Sequence, residues 1–174
     1  MRRRFAVKLF CSYALLVAVN AVVAELLISR FAAEDQRREI EDSLAGQAVL
    51  LADAARAGLE SGGDATLERR VEQLGAATGS RLTVVAGDGR VLADSAERAA
   101  TMENHLTRPE FVQAARDGRG IDERTSATTG QQTLYVCIAV PGPRARLGFV
   151  RAALPLPTVA ARRDRLRGPI LGGV

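Results

Sequence analysis

The sequence holds one histidine, His105, within the stretch MENHLTRPEF at residues 102–111. An imidazole titrates near neutrality, so it can carry a phosphoryl group, move a proton, bind a metal or contact a ligand. One His and two separated cysteines, Cys11 and Cys137, do not reach the ligand spacing of a zinc site, so no metal is assigned. No Ser-His-Asp arrangement is discernible, because a lone His has no placed partner, so no catalytic residue is assigned. What remains is a phosphoacceptor, a pH- or ligand-sensing contact, or a residue that fixes the start of a helix. The choice depends on which side of a membrane His105 lies.

Further along, Arg124, Ser126 and Thr128 alternate, which on a strand puts three side chains on one face. Tyr135 falls on the neighbouring predicted strand, and Arg108 follows His105. Together His105, Arg108, Arg124, Ser126, Thr128 and Tyr135 would line a cavity rich in donors. Such a set suits a carboxylate or a phosphate, since a guanidinium offers a planar fork of donors. An ordinary solvated strand face, with Arg124 paired to Asp94 or Glu123, accounts for the same pattern. Asp88, between Gly87 and Gly89, reads as turn chemistry.

The elements that must hold these residues follow from periodicity. Residues 30–59 read as a helix with Ile40, Leu44, Ala48, Leu51, Ala55 and Leu59 on one face, ended by Ser61-Gly62-Gly63. Asp64 caps a second helix, with Leu67, Val71 and Leu74 facing inward and Gly79 stopping it. The period then changes to two. Residues 81–85 and 90–95 flank Gly87-Asp88-Gly89 as a hairpin. Thr107 to Glu110 has the S/T-x-x-E form of a capping box, and Pro109 suits a first helical turn. The short helix it starts buries Phe111, Ala114 and Ala115 and closes at Asp117-Gly118. Three strands are predicted at 121–128, 133–140 and 146–154. The second of these, TLYVCIAV, is the most apolar and reads as the central strand. Residues 158–166 read as a last helix. The expected class is α+β: a long N-terminal helix, then an antiparallel five-stranded sheet with flanking helices.

Residues 9–28 carry a single charge, Glu25, and match the ~20 apolar residues that a bilayer core requires of a helix. Arg2, Arg3, Arg4 and Lys8 precede them, which predicts a cytoplasmic N-terminus and an extracytoplasmic chain beyond. Asn20 could hydrogen-bond to a partner helix. A cleaved signal peptide competes, since Val22-Val23-Ala24 offers small residues. Apolar residues resume at Leu26-Leu27-Ile28 before a charged helix, and this favours an uncleaved anchor. The stretch LRGPILGGV at 166–174 looks like the first turn of a second span. The predicted layout is a cytoplasmic N-terminus (1–8), a span (9–28), a stalk helix (29–63), a sheet domain (64–156), a membrane-proximal helix (157–167) and the start of a second span (168–174).

Composition narrows the rest. Lys8 is the single lysine among 24 basic residues, and the net charge of +4 is spread along the chain without an aromatic-interleaved stripe, which argues against nucleic acid as a partner. Aromatics are 4% with no Trp, so Ala, Val and Leu must fill the core. Cys137 reads as a small buried hydrophobe, and a disulfide to Cys11 is not expected.

This order of elements between two spans resembles the PAS-like single-Cache sensor regions of bacterial sensor histidine kinases. DGRVLADS (88–95), MENHLTRPEF (102–111), RTSATTGQQTLYVCIAVP (124–141) and GFVRAALPL (148–156) follow one another as in the phosphate-regulon type of these kinases. The resemblance implies a homodimeric membrane receptor with residues 29–167 extracytoplasmic. A small anionic ligand, or a membrane or transport protein, would shift its two-state equilibrium and move packed helices. The output would be a cytoplasmic kinase core, using ATP and Mg, and a response regulator. This chain has neither the His-Glu-x-x-Thr/Asn-Pro phosphoacceptor sequence nor a Gly-rich nucleotide loop. No kinase activity and no cofactor are therefore expected of it alone. Leu106, not Glu, follows His105, and the predicted topology puts His105 where there is no ATP. The resemblance thus makes it a loop residue before a helix, on the ligand-facing side of the sheet. The same outer domain could instead feed a chemoreceptor or a cyclic-nucleotide enzyme, or serve a single-span envelope binding protein.

Overall fold

The computed structural model describes residues 2–126, 130–143 and 145–156. Residue 128, the predicted helix at 158–166 and the predicted start of a second span lie outside them. The chain divides into two compact units, Met1–Glu39 and Ile40–Val174.

Helix α1 spans Arg2–Ser61. Its first part contains an 18-residue window of mean hydropathy 2.1, none of it buried. Among the described residues it is the one helix long and apolar enough to cross a membrane. Within this helix Asn20 Nδ2 donates to the Leu16 carbonyl at 2.8 Å, one turn back.

In the second unit, Leu44, Ala48, Leu51, Ala55 and Leu59 of α1 are all buried, the face that the 3.6-residue period selects. α1 stops where Gly62 and Gly63 adopt φ of 81° and 91°. α2 (Ala65–Thr78) starts from Asp64, whose carboxylate accepts from the Leu67 N–H at 2.7 Å, and ends on Gly79 at φ 67°. Asp64→Ala should lower stability by about 1 kcal/mol through the orphaned N–H groups of the first turn, read as a lower unfolding midpoint.

The sheet has order β2-β1-β5-β4-β3, with neighbours antiparallel. The strands are β1 (Arg81–Ala86), β2 (Val91–Asp94), β3 (Arg119–Thr125), β4 (Gln132–Pro141) and β5 (Arg146–Pro155). The middle strand is therefore β5, not the more apolar β4. β5 is less apolar in sequence because Arg151 interrupts it, yet Arg151 is 1% exposed. β3 ends at Thr125, so Ser126 follows the strand rather than belonging to it.

Alternation along the strands separates two cores. Leu82, Val84, Leu134, Val136, Val150 and Ala152 pack with the buried faces of α1 and α2. Val85, Cys137 and Phe149 pack with Phe111 and Ala114 of α3 (Pro109–Asp117). α3 lies so close to β3 that a Cβ on Gly120 would stand 1.9 Å from the Glu110 carbonyl oxygen and 2.8 Å from the Ala114 nitrogen. Both are backbone atoms, so relief requires the helix to move. Gly120→Ala should cost about 3 kcal/mol, the upper end for overpacking, seen as faster amide exchange across α3 and β3.

The predicted capping box is not formed. The N-cap of α3 is Arg108, without a side-chain cap, and Pro109 occupies the first helical position. Glu110 turns inward instead, because charge-assisted bonds to two guanidiniums are stronger than one to a backbone N–H.

Candidate functional site

Five of the six predicted contacts, His105, Arg108, Arg124, Ser126 and Tyr135, line one cavity of about 380 Å³ on the α3 side of the sheet. Strand pairing brings them there. Arg151, at the centre of β5, registers with Thr83 of β1 and Cys137 of β4. Arg151 and Arg81 also line the cavity.

Under it lies a buried ion cluster. The fully buried Glu110 accepts from Arg124 twice, Nη1 to Oε2 at 2.8 Å and Nη2 to Oε1 at 3.0 Å. It also accepts from Arg151 Nη1 at 3.2 Å. Arg151 Nη2 donates to Thr83 Oγ1 at 3.0 Å. Arg124 pairs in addition with Asp122, and its guanidinium lies 3.9 Å from the Tyr135 ring centroid. Burial by itself would raise the Glu110 pKa; the hydrogen bonds from Arg124 and the charge of Arg151 outweigh it and hold the carboxyl below its ordinary range. Burial pulls Arg124 downward, but its bonds with Glu110 and Asp122 leave it above the ordinary value. Burial lowers Arg151.

A second cluster holds another wall. Asp94 accepts from Arg81 Nε at 3.0 Å, from Thr83 Oγ1 at 2.7 Å, and from the N–H groups of Ala96 and Glu97 at 2.9 and 3.0 Å. The carboxylate thereby shapes the loop after β2. Glu97 also pairs with Arg81 at 3.4 Å.

His105 is fully buried in the loop before α3. The β1–β2 turn holds that loop: the His105 N–H donates to the Gly89 carbonyl at 3.0 Å, and Asn104 Nδ2 donates to the Asp88 carbonyl at 2.8 Å. Gly89 has φ 87°, and a Cβ there would meet Asn104 Oδ1 at 2.2 Å. The ring stands edge-on to Phe111, centroids 5.6 Å apart. Nδ1 lies 2.7 Å from the Glu103 carbonyl oxygen. A carbonyl can only accept, so Nδ1 carries the proton. Burial, then the charges of Arg151 and Arg108, lower the pKa from 6.5 to about 4. The ring is neutral at pH 7, and its Nε2 is a buried acceptor without a partner.

No family model matches the chain, and no curated protein matches it. Solved structures do. The ligand-binding domain of the Campylobacter jejuni chemoreceptor Tlp3, in complex with 4-methylisoleucine, aligns at 14% identity over 70% of this chain and 52% of that chain, TM-score 0.54. That of the Pseudomonas fluorescens chemoreceptor CtaA, in complex with L-alanine, aligns at 17% identity over 78% and 60%, TM-score 0.53. The sensor domain of the V. cholerae histidine kinase DctB aligns at 18% identity over 66% and 43%, TM-score 0.46. The fold is that of a Cache-type sensor domain. The chain spans about half the length of the first structure it matches.

Within this Cache-type fold, sequence reasoning missed Glu110 and Arg151. Arg151 left a signal: a charge inside the apolar run GFVRAALPL, on a strand that must be buried, requires a buried counter-ion. Glu110, next to the core residue Phe111, matches a local cap by its spacing from Thr107. Arg124 lines the cavity, and its carboxylate partners are Glu110 and Asp122. Asp94 pairs with Arg81. Cys137 is buried and free, as expected of a packing residue, and burial pushes its thiol pKa up, away from reactivity.

Proposed function

We propose that these residues form the extracytoplasmic sensing and transmembrane-signalling region of a homodimeric membrane receptor. The cavity under α3 holds a small anionic ligand. The observation that carries this reading is Arg108, a half-buried arginine lining the cavity that has no carboxylate partner among the described residues. Arg81, Arg124 and Arg151 are already paired. In this reading residues 9–28 span the bilayer, the N-terminus is cytoplasmic, and ligand binding shifts the equilibrium between two arrangements of the packed helices.

The output is proposed to be a two-component histidine kinase of the phosphate-regulon type, supported by the run of four sequence motifs. A chemoreceptor output is favoured equally by the Tlp3 and CtaA folds. The coding sequence beyond Val174 distinguishes them, since a second span followed by a phosphoacceptor helix pair belongs to the kinase alone. For the site, Arg108→Ala is the cleanest variant, because it breaks no ion pair. A panel of small carboxylates and inorganic phosphate, followed by thermal shift, should yield a stabilising anion. Its affinity should fall about tenfold or more in Arg108→Ala with the ligand-free midpoint unchanged. A stabilising anion whose affinity ignores the substitution would remove the anion-site reading. A reporter fused near Gly120 should be active only outside the cytoplasm.

A further inference from the structure

Among the described residues three buried side-chain polar atoms lack any partner: Gln47 Oε1, His105 Nε2 and Arg151 Nε. Two of the three belong to residues lining the same cavity. His105 and Arg151 are 0% and 1% exposed, and both flank the Phe111 ring at 5.6 Å. A buried unmet polar atom costs about 1–3 kcal/mol, so a cavity with two of them favours a ligand that meets both.

Their chemistries are opposite. Arg151 Nε–H can only donate. His105 Nε2 can only accept, because Nδ1 holds the proton against the Glu103 carbonyl. A fully ionised oxyanion would satisfy the guanidinium and set its negative charge against the imidazole lone pair. The fitting ligand presents a donor beside its anionic oxygen, as a hydroxyl or an ammonium next to a carboxylate does. The charges of Arg151 and Arg108 act on His105. An ammonium seated at Nε2 would meet that same positive field, whereas a hydroxyl carries no charge to be repelled. Arg108 is the lining arginine without a carboxylate partner among the described residues, so its guanidinium offers a seat for the ligand's carboxylate.

We propose that the cavity selects a 2-hydroxy carboxylate, its carboxylate on Arg108 and the Arg151 Nε–H and its hydroxyl donating to His105 Nε2. This rests on the ligand-sensing reading above and adds specificity to it. The cavity volume of about 380 Å³ leaves room for a short side chain beyond the head group, and Met102 offers it an apolar wall.

The test uses the full chain in lipid nanodiscs at neutral pH, titrated calorimetrically with 2-hydroxy-4-methylpentanoate, 4-methylpentanoate and leucine. The hydroxy acid should bind about tenfold or more tightly than either of the others, because a site built around a substrate hydroxyl rejects the analogue that lacks it. His105→Phe should bring the ratio between the two acids close to one, and His105→Gln, whose carbonyl can accept, should recover part of it. If a variant does not fold, the wild-type ratio decides by itself. Equal binding of the two acids, with both weakened by Arg108→Ala, would overturn the hydroxyl selectivity and leave the anion sensor standing. Tighter binding of leucine would overturn it as well. No binding of any of the three would overturn it and the small-carboxylate form of the sensor reading together.

Discussion

Replacing Glu110 with alanine should destabilise the sheet domain by about 3–5 kcal/mol, the cost of leaving a buried charge without its counter-ion. Arg151 would keep only the Thr83 hydroxyl, at 1% exposure. Arg124 would retain Asp122 and partial access to solvent, so the damage falls chiefly on β5, the middle strand. Cys137 reports the loss directly. It is fully buried opposite Arg151 on β4, so in a Cys11→Ser background its labelling by a thiol reagent measures opening of the domain. Labelling should accelerate by two to three orders of magnitude in Glu110→Ala, the factor that ~3–4 kcal/mol represents. Glu110→Gln keeps an acceptor and should lie between. Glu110→Leu combined with Arg151→Met should regain most of the loss, since apolar residues of similar volume often replace a buried ion cluster without penalty. Labelling of Glu110→Ala at the wild-type rate would show that the cluster does not hold the sheet.

The second large effect is a fall in stability with acid that begins well above the carboxylate range. His105 titrates at about 4 when folded and 6.5 in an exposed peptide. The unfolded chain therefore takes up a proton first, and stability declines as pH drops from 6.5 toward 4, by roughly 3 kcal/mol in total. Below that both states are protonated and this contribution is flat. Glu110 acts in a lower window: its folded pKa lies below the ordinary carboxyl value of 4.5, so its stabilisation is present above that value and is lost as pH falls through the lower folded one. Between pH 6.5 and about 4.5 the slope belongs to His105. Burial presses its pKa down first, then Arg151 and Arg108, while the Glu103 carbonyl and Glu110 oppose them. Global amide exchange of β4 and β5, corrected for intrinsic exchange rates, should show this slope in the native protein and a flat profile in His105→Gln over the same window. An equal slope in both would place the titrating group elsewhere.

Local chemistry carried much of the fold. The face of α1 that carries Leu44, Ala48, Leu51, Ala55 and Leu59 follows from helical period alone. Asp64, Gly79 and Gly118 mark helix ends through caps and left-handed backbone that few other residues accept. The β1–β2 hairpin and the three later strands follow from alternation and turn residues, and the face shared by His105, Arg108, Arg124 and Tyr135 could be read from those elements in order. What the tertiary structure decided is where long-range partners meet. β5 lies in the middle of the sheet because β1 and β4 both pair with it, a fact absent from the hydrophobicity of either strand. Glu110 fits a capping box by spacing, yet its carboxylate is turned inward by two guanidiniums, 14 and 41 residues away along the chain. A side chain's choice between a nearby backbone N–H and a distant charge depends on what folding brings within reach, and the residue's own neighbours in sequence do not encode that.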